Sequence, residues 1–576
     1  MDESLLTRTR EGCNPLLHFS GPRGTHHTSD TTRRDDMTER ERASRLNDIG
    51  YTLKVFKRIG LLKPLPPHRL LGAGRQLAKW GPGLPSGVNA AARRFPHQTA
   101  IIDDAGEITW AELAAQINQL TQALKDRGIE PGASVAVLSR NHRYMVMTMV
   151  AVMQAGGRVL LLNTMASRSQ LGELARREDA SCVIVDQEFL EVAQDVDRST
   201  LVLGWADPDA PADLPTVAGL LEGRPTDAHA KPARHGQIII FTSGTTGLPK
   251  GARREEPKDL KPLIAFFGAI PYRGNSTVIV AAPLFHSWGL INFAFGLSTA
   301  PTYVLRRRFD PEQVLRDIQS HRAEVLVVVP LMMQRMVDVD PAVVEATDVS
   351  SLRITASSGS ALAGDLANRF MDLFTDSVYN FYGATETGWV TIAGPRDLRE
   401  APGTAGVPPF RTTVKILDSD GRELPPGETG VIHVGNDMPF GGYTDGNTKA
   451  FADGLMNTGD LGHFDADGRL FVSGRDDDMI ISGGENVFPR ELEDALIDHP
   501  AIADVVVTGV ADQRFGEALA AYVVRKPGAT LTEDELVAYA KERVARFAVP
   551  RHTVFLDDLP RNPTGKVMKR ELPAVG

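Results

Sequence analysis

The sequence has few of the features that mark secreted, metal-bound or membrane-spanning proteins. Its two cysteines, Cys13 and Cys182, are too few for a disulfide framework and lack metal-ligand spacing. This composition is typical of the reducing cytosol. The most apolar stretch, residues 145–162, is interrupted by glutamine, glycine and arginine, so we expect no transmembrane helix. The first residues lack the basic and apolar regions of a signal peptide.

The charge balance is acidic overall but reversed in one segment. The net charge of −10 argues against a general nucleic-acid-binding protein. Residues 50–102 nevertheless contain nine Lys or Arg and no Asp or Glu. Basic and apolar residues at roughly helical spacing fit either a surface helix packed on its own domain or a helix lying on an anionic membrane. We expect a cytoplasmic protein with weak peripheral membrane contact through residues 50–80.

The length of 576 residues predicts two or more domains. Residues 1–45 are polar and lack apolar periodicity, which predicts a disordered lead-in. From about residue 89, short apolar strands alternate with helices, which indicates a parallel sheet covered on both faces. From Gly406 the pattern changes to short strands separated by turn residues, as in a small antiparallel β-subdomain. Helices at 489–498 and 532–546 with intervening strands predict a compact α+β unit at the C-terminus.

The most informative stretch runs from Gln237 to Gly251. Apolar residues 238–241 predict a buried strand, and a loop of threonine, serine and glycine follows, ending in Pro249 and Lys250. Glycines let backbone N–H groups turn toward an anion, hydroxyls add donors, and Lys250 supplies positive charge. The usual P-loop requires Gly-Lys followed by Ser or Thr, which is absent here. The stretch predicts a different nucleotide-phosphate loop, with a surface turn as the alternative.

The sequence Thr-Ser-Gly-Thr-Thr-Gly-x-Pro-Lys-Gly resembles the phosphate loop of adenylate-forming enzymes. That superfamily comprises acyl-CoA synthetases, luciferases and peptide-synthetase adenylation domains. Further motifs that resemble the family follow in order: Pro-x-Phe-His-x-x-Gly at 283–289, Ser-Ser-Gly-Ser-Ala at 357–361, Asn-Phe-Tyr-Gly-Ala-Thr-Glu at 380–386, Asn-Thr-Gly-Asp at 457–460, Gly-Arg-Asp-Asp-Asp at 474–478 and Pro-Thr-Gly-Lys at 563–566. The resemblance covers about residues 90 to 572.

The resemblance implies a role for each matching residue. It implies a catalytic group made of Lys566, Glu386, His286 and Thr242, in which Glu386 holds Mg²⁺ and His286 sets the approach to the acyl pocket. The implied nucleotide and CoA ligands are the phosphate loop (Thr242, Ser243, Gly244, Thr245, Thr246, Gly247, Lys250), the adenine segment (Ser358, Gly359, Ser360, Tyr382, Gly383), the phosphate-contacting Thr385, the ribose-binding Asp460, the nucleotide-contacting Arg475, and Gly483 and Gly484 beside pantetheine. The family more often has Gly-Gly-Ala-Pro-Leu where this chain has Ser358, Ser360 and Ala361.

The fold that the resemblance implies is α/β. It has a large multi-sheet AMP-binding domain over residues 46–475, including the β-subdomain, and a small mobile α+β lid over 476–576 with its hinge at Asp477. The implied reaction converts a carboxylic acid to acyl-AMP and then to acyl-CoA, with ATP, Mg²⁺ and CoA as ligands. The apolar run after His286 and the basic N-terminal segment favour a medium- or long-chain fatty acid. A fatty-acyl-AMP ligase that loads a carrier protein and an aryl-acid CoA ligase remain as alternatives. A homodimer is a further expectation.

Overall fold

The computed structural model describes residues 39–242, 250–254, 259–438, 440–475, 478–482, 485–512, 516–563 and 565–575. The chain forms two units, residues 1–53 and residues 54–576. Most of the predicted lead-in, 1–45, lies outside the described residues. The first helix begins at Glu39, so residues 39–45 are helical rather than disordered. Their glutamates, arginines and alanine favour a helix without any apolar periodicity.

Most of the helices are short. Their bounds are α1 Glu39–Arg58, α2 Pro67–Trp80, α3 Leu84–Arg94, α4 Trp110–Asp126, α5 Arg143–Ala155, α6 Arg168–Arg177, α7 Val217–Leu220, α8 Lys261–Ala269, α9 Ser287–Gly296, α10 Pro311–His321, α11 Pro330–Val337, α12 Pro341–Glu345, α13 Gly364–Leu373, α14 Pro395–Glu400, α15 Pro489–Ile497 and α16 Glu533–Lys541. In the described part of the chain, no helix is both long and apolar enough to cross a bilayer.

The strands belong to four sheets. Their bounds are β1 Thr99–Asp103, β2 Gly106–Thr109, β3 Ser134–Leu138, β4 Arg158–Leu161, β5 Ala180–Val185, β6 Leu201–Leu203, β7 Gln237–Thr242, β8 Lys250–Arg254, β9 Thr277–Val280, β10 Thr302–Val304, β11 Val325–Val328, β12 Ile354–Ser357, β13 Val378–Tyr382, β14 Thr391–Ala393, β15 Thr413–Leu417, β16 Gly430–Gly435, β17 Phe440–Tyr443, β18 Phe451–Ala452, β19 Leu455–Phe464, β20 Leu470–Arg475, β21 Ile480–Ser482, β22 Glu485–Val487, β23 Ile502–Asp512, β24 Gly516–Arg525 and β25 His552–Leu556.

An eight-stranded sheet has the order β14-β13-β12-β11-β9-β10-β1-β2. Its six inner strands run parallel, and the two edge strands are antiparallel to their neighbours. Strand β11, Val-Leu-Val-Val, is fully buried, as expected for a parallel strand covered on both faces. Such continuous apolar strands place the sheet in the core and leave polar residues to the segments that follow each strand.

A seven-stranded sheet has the order β17-β8-β7-β4-β3-β5-β6. Strands β3 to β7 are parallel, and β8 returns antiparallel to β7 after the predicted phosphate loop. The predicted alternation of strands and helices between residues 134 and 185 is therefore confirmed. Helix α4 begins at a capping box that Thr109 and Glu112 form, a start signal that is readable in the sequence Thr-Trp-Ala-Glu.

The remaining two sheets are smaller. β15, β16, β18, β19 and β20 form an antiparallel sheet, which confirms the predicted β-subdomain. Near the C-terminus, β21 to β25 form a sheet that packs with α15 and α16 around a core of its own. Helix α16 ends at Lys541, earlier than the predicted 546. Pro550 forces extended backbone at Val549, and only a short 3₁₀ turn, Arg546–Ala548, fits before it.

Gly406 joins the eight-stranded sheet to the β-subdomain, and its substitution tests that junction. Gly403 and Gly406 have nearly the same positive φ, +86° and +87°. A Cβ at 403 would meet nothing within 4 Å, whereas one at 406 would lie 2.2 Å from the backbone nitrogen of Ala393. We expect Gly403→Ala to lower the free energy of unfolding by roughly 1–2 kcal/mol from φ strain alone. Gly406→Ala should cost about 1–3 kcal/mol more.

Urea unfolding followed by tryptophan fluorescence measures both losses on the same protein background. Since the two variants share the φ strain, the difference between them isolates the backbone clash. Equal losses would show that the close approach at residue 406 does not constrain the junction.

Candidate active site

Several of the predicted motif segments begin at one edge of the eight-stranded sheet. The neighbouring strands β9, β11, β12 and β13 are parallel, and in each adjacent pair the two carboxyl ends lie within two residues of register. The carboxyl ends of parallel strands lie at the same edge, which is where open α/β sheets bind ligands. The segments that follow them contain His286, Pro330, Ser358 to Ser360, and Gly383 to Glu386. The structure therefore brings together motifs that are up to 100 residues apart in the sequence.

A buried asparagine supports the segment that leads to His286. The amide of Asn141 donates to the carbonyl oxygens of Val280 and Ala282, at 3.0 and 2.9 Å. Its own oxygen accepts the backbone N–H of Leu284 at 2.8 Å. Asn141 follows β3 of the seven-stranded sheet, so one side chain fixes a loop of the other sheet. Asn141 was not among the predicted site residues, because its only signal in the sequence is a polar side chain soon after an apolar strand.

Asp186 in turn holds the turn that contains Asn141. Its carboxylate accepts the Ser139 hydroxyl at 2.7 Å, the backbone N–H of Arg140 at 2.8 Å and the ring nitrogen Nε2 of His142 at 3.0 Å. Burial opposes the charged form, but His142 and these donors hold the pKa of Asp186 below its usual value. A buried polar network with every acceptor satisfied is rigid. It gives the His286 loop a fixed foundation.

His286 lies directly before the first turn of α9 and is half-buried. Desolvation lowers the pKa of His286 to about 4, so the imidazole is neutral at pH 7. The next helical turn is fixed because the Trp288 indole donates to the carbonyl oxygen of Val328, at the end of β11, at 2.9 Å. The arrangement presents a neutral ring beside the sheet edge.

The loops after β9 and β13 are tied to each other. The Thr385 hydroxyl lies 3.2 Å from the hydroxyl of Ser287, next to His286. Thr385 is buried, whereas the neighbouring Glu386 is half-buried. In the adjacent segment Ser358 is also buried, and Ser360 is partly open to solvent. The predicted adenine segment, acyl-side histidine and phosphate-contacting threonine are therefore close neighbours.

Tyr382 and Asp460, both predicted nucleotide ligands, are hydrogen-bonded. The tyrosine hydroxyl donates to Oδ2 of Asp460 at 2.5 Å. Burial and the neighbouring carboxylate raise the pKa of Tyr382, so the hydroxyl keeps its proton. Asp460 also pairs across the ladder with Arg475, another predicted ligand, at the end of β20. The three residues bring the β-subdomain to the end of β13 in the eight-stranded sheet.

Glu386 contacts a residue that the sequence analysis missed, Tyr443. The Tyr443 hydroxyl donates to Oε1 of Glu386 at 2.5 Å, and burial together with this carboxylate raises the pKa of Tyr443. Tyr443 ends β17, which pairs with β8, the strand that begins at Lys250. The Lys250 ammonium lies 5.7 Å from the centre of the Tyr443 ring and 3.6 Å from a carboxylate oxygen of Asp445. The return strand of the phosphate loop is thus connected to Glu386 through Tyr443.

Lys566 lies in a tight turn that contacts the large domain. The Asn562 side chain accepts the backbone N–H of Lys566 at 3.0 Å, and Arg561, paired with Asp504 at 2.6 Å, anchors the turn to β23. Gly565 has φ +80°, and a Cβ there would lie 3.0 Å from Cβ of Leu331, in the first turn of α11. The exposed Lys566 therefore stands beside the segment that follows β11, at the same sheet edge as the other motifs.

Several predicted site residues lie outside the described part of the chain. These are Ser243, Gly244, Thr245, Thr246, Gly247, Asp477, Gly483, Gly484 and the side chain of Thr242. The flanking positions Thr242 and Lys250 are partners in the β7–β8 ladder, so the predicted phosphate loop connects two paired strands.

The carboxylate of Glu386 fits the predicted Mg²⁺ ligand. Among the described residues, no group of three or more His, Cys, Asp or Glu is arranged to hold a metal by itself. Mg²⁺ at nucleotide sites is usually held by one or two carboxylates together with the substrate phosphates and water. A single carboxylate, oriented by a tyrosine and near the strand that follows the predicted phosphate loop, fits the protein part of such a site.

Sequence and structure comparisons agree on the family. The family described as "AMP-binding enzyme" matches residues 88–444, and the "AMP-binding enzyme C-terminal domain" matches residues 491–566. Feruloyl-CoA synthase of Amycolatopsis sp is 33% identical over 506 residues, covering 85% of this chain and 98% of that protein.

Two solved structures show the same likeness in three dimensions. o-Succinylbenzoate CoA synthetase (MenE) from Bacillus subtilis, in complex with the acyl-adenylate intermediate OSB-AMP, has a TM-score of 0.73 and 27% identity, over 85% of this chain and 98% of that one. ATP-bound MatB from Rhodopseudomonas palustris has a TM-score of 0.74 and 27% identity, over 86% and 97%.

The contact between Tyr443 and Glu386 can be tested with Tyr443→Phe. This change removes the hydroxyl that orients the carboxylate and keeps the ring. Loss of a partner that orients a metal ligand typically weakens metal affinity by about 10- to 100-fold. We expect a rise of that order in the dissociation constant for Mg-ATP, measured by calorimetry. Tyr522→Phe, which removes a tyrosine hydroxyl bond to Pro573 in the C-terminal unit, is the matched control. Unchanged affinity in Tyr443→Phe would exclude an orienting role.

Proposed function

Because the chain belongs to the adenylate-forming superfamily of AMP-binding enzymes, among its acyl- and aryl-CoA ligases, we propose that it is an ATP-dependent ligase that joins compact aromatic or other ring-bearing carboxylic acids to CoA. The observation that carries the reaction type is the meeting of three groups at one sheet edge. These are the Tyr382–Asp460 pair, the Glu386–Tyr443 pair and the turn that presents Lys566. Nucleotide recognition, metal binding and a mobile cation are what an adenylating site needs.

The packing beside α9 supports a compact acid. Behind His286, the rings of Trp288 and Phe381 lie 4.8 Å apart, and those of Phe266 and Phe295 lie 5.3 Å apart. Trp288, Phe381 and Phe266 are buried, so the core beside α9 is filled by aromatic side chains, which leaves a short space better suited to a compact acid than to a long alkyl chain. Flat rings also pack well against such a wall. The apolar run that favoured a fatty acid is thus consistent with an aryl acid.

The names of the relatives point the same way. The feruloyl and o-succinylbenzoate enzymes described above are named for aromatic acids, not fatty acids. The expected preference for a medium- or long-chain fatty acid therefore gives way to the aryl-acid alternative. The same names favour the expected CoA acceptor over the alternative of carrier-protein loading.

The first half-reaction would join the acid to the nucleotide. A carboxylate oxygen attacks the α-phosphorus of ATP, and the bond to pyrophosphate breaks. Negative charge grows on the phosphate oxygens, where Lys566 and Lys250 would stabilise it. The Mg²⁺ that Glu386 would hold supplies further positive charge when it is bound. The neutral ring of His286 positions the acid without pairing with its carboxylate, so the nucleophile keeps its full charge.

The nucleotide would be held by the residues that the β-subdomain contributes. The Tyr382 hydroxyl fixes the Asp460 carboxylate in one orientation, which suits it to accept hydrogen bonds from the ribose hydroxyls. The tyrosine ring offers a flat face to adenine beside Ser358, Gly359 and Ser360. Thr385 would meet a phosphate, and its contact with Ser287 would couple phosphate binding to the His286 loop.

The second half-reaction would transfer the acyl group. The thiol sulfur of CoA attacks the acyl carbon, the carbon–oxygen bond to phosphate breaks, and AMP leaves. We propose that the domains divide at residue 475 and that residues 476–576 turn about Asp477 between the two half-reactions. This motion would withdraw Lys566 and bring Gly483 and Gly484 alongside the pantetheine arm. Asp477, Gly483 and Gly484 lie outside the described residues.

The function is tested by CoA-dependent AMP release with purified protein and Mg-ATP. The acid panel comprises ferulate, benzoate, coumarate, o-succinylbenzoate and fatty acids from C2 to C18. We expect the highest kcat/KM for an aromatic acid, with its acyl-CoA as product. A maximum among the fatty acids would overturn the proposed acid class and leave the ligase chemistry standing. Acyl-AMP that accumulates despite CoA would indicate carrier-protein loading, and an absence of AMP with every acid would refute the proposal.

The role of Lys566 is tested by measuring the two half-reactions separately. For Lys566→Ala we expect adenylation, followed by pyrophosphate release, to fall roughly 100- to 1,000-fold, as for other charge-stabilising groups. Conversion of supplied acyl-AMP and CoA should stay within a few-fold of the unaltered protein. Arg570→Ala removes a nearby exposed cation and should change neither half-reaction. Equal losses in both half-reactions would assign Lys566 a structural role instead.

A further inference from the structure

Helix α2, Pro67–Trp80, has its apolar side facing outward. Leu70, Leu71 and Leu77 are 43%, 64% and 43% exposed. With Pro67, Gly74 and Ala78, which are exposed too, they follow the i, i+3, i+4, i+7 spacing of one helix face. A surface helix of a globular protein normally turns such a stripe toward the core. We refer to these six residues as the α2 face.

The inner side of α2 is polar and bonded, which fixes this orientation. The Arg69 guanidinium donates to the carbonyl oxygen of Arg94 at 3.3 Å, and the Lys79 ammonium donates to that of His229. Burial lowers the pKa of Lys79, as expected for an ammonium turned toward protein. Trp80, at the end of the helix, is buried. Long cationic side chains thus occupy the inner side of the helix while leucines occupy the outer side.

Exposed cations accompany the α2 face. Arg75 lies on the helix, Lys63 precedes it, and Arg93 of α3 packs its side-chain carbons 3.6 Å from where a Cβ of Gly72 would lie. The surrounding segment, 50–102, carries nine positive and no negative residues in a chain of net charge −10. Subtracting +9 from −10 leaves −19 for the rest of the chain. The apolar face is therefore set in the basic part of an acidic protein.

We propose that the α2 face docks on a lipid bilayer that contains anionic lipids. Such a bilayer offers an apolar interior in which the leucines can be buried and anionic headgroups that attract the cations. A helix of 14 residues is about 21 Å long and lies in the plane of the interface rather than across it. A second copy of the chain is a poorer partner, because symmetric contact would bring two basic segments together.

Vesicle sedimentation of the full chain tests the proposal. Binding is compared between phosphatidylcholine vesicles and vesicles that also contain about 30% of the anionic lipid phosphatidylglycerol, each at low and at high salt. We expect binding to the anionic vesicles, weakened by salt because the charges are exposed. The double change Leu71→Ser and Leu77→Ser should weaken this binding by at least about tenfold, since it removes apolar area that would be buried.

Leu373→Ser is the matched control, because Leu373 is 41% exposed on α13, away from the basic segment. It should bind vesicles as the unaltered protein does, and all variants should keep their ligase activity in solution. Failure of the unaltered protein to bind anionic vesicles would overturn the proposal, as would equal binding by the α2 double variant. A dimer that the double variant dissociates, without vesicle binding, would assign the face to a second copy.

Discussion

Parallel pairing of β9, β11, β12 and β13 is the constraint on which the candidate site depends. Each strand must enter the sheet from the same side, so each following segment leaves at the same edge. The strands are apolar and buried, which leaves the chemistry to short segments after them. His286, Ser358 and Glu386 are thereby brought to one edge of the sheet. Other parts of the molecule contribute further side chains to this edge.

Two other sheets contribute such side chains. The seven-stranded sheet contributes Asn141, which fixes the His286 loop, and Tyr443, which orients Glu386. The β-subdomain contributes Asp460, held by the Tyr382 hydroxyl. Two carboxylates are thus each held by a half-buried tyrosine that keeps its proton. A neutral donor orients a carboxylate without cancelling its charge, whereas a lysine or arginine at the same place would weaken its attraction for a metal.

Much of the fold could be predicted from the sequence because its signals are local. The capping box at Thr109, the strand at 134–138 and the helix at 143–155 each follow from a few adjacent residues. Of the motif residues, Tyr382 contacts Asp460, and Thr385 contacts Ser287 next to His286. Asn141 and Tyr443 were missed because their importance comes from contacts across two sheets, which no local pattern records. The acid class could not be predicted as closely, because an apolar helix after His286 is compatible with an alkyl or an aryl acid and does not reveal which rings pack beside it.

The outward face of α2 was only half predictable. Basic and apolar residues at helical spacing were evident, but the pattern fits a helix with either face outward. The inward hydrogen bonds of Arg69 and Lys79 decide the orientation, and they depend on carbonyl groups far along the chain, at residues 94 and 229. Periodicity identifies an amphipathic helix, whereas the partners of its polar residues determine which side it shows to solvent.

Gly565 lies close to Leu331, and the absence of a side chain at Gly565 determines how near Lys566 can come to the sheet edge. The turn can pack closely against α11 only because Gly565 has no Cβ, since a Cβ at residue 565 would lie 3.0 Å from Cβ of Leu331. Any larger residue would lift the turn outward and carry the lysine with it. A misplacement of about 1 Å can slow an enzyme about a hundredfold. The position of the Lys566 ammonium therefore depends on the absence of a Cβ atom at the preceding residue, Gly565.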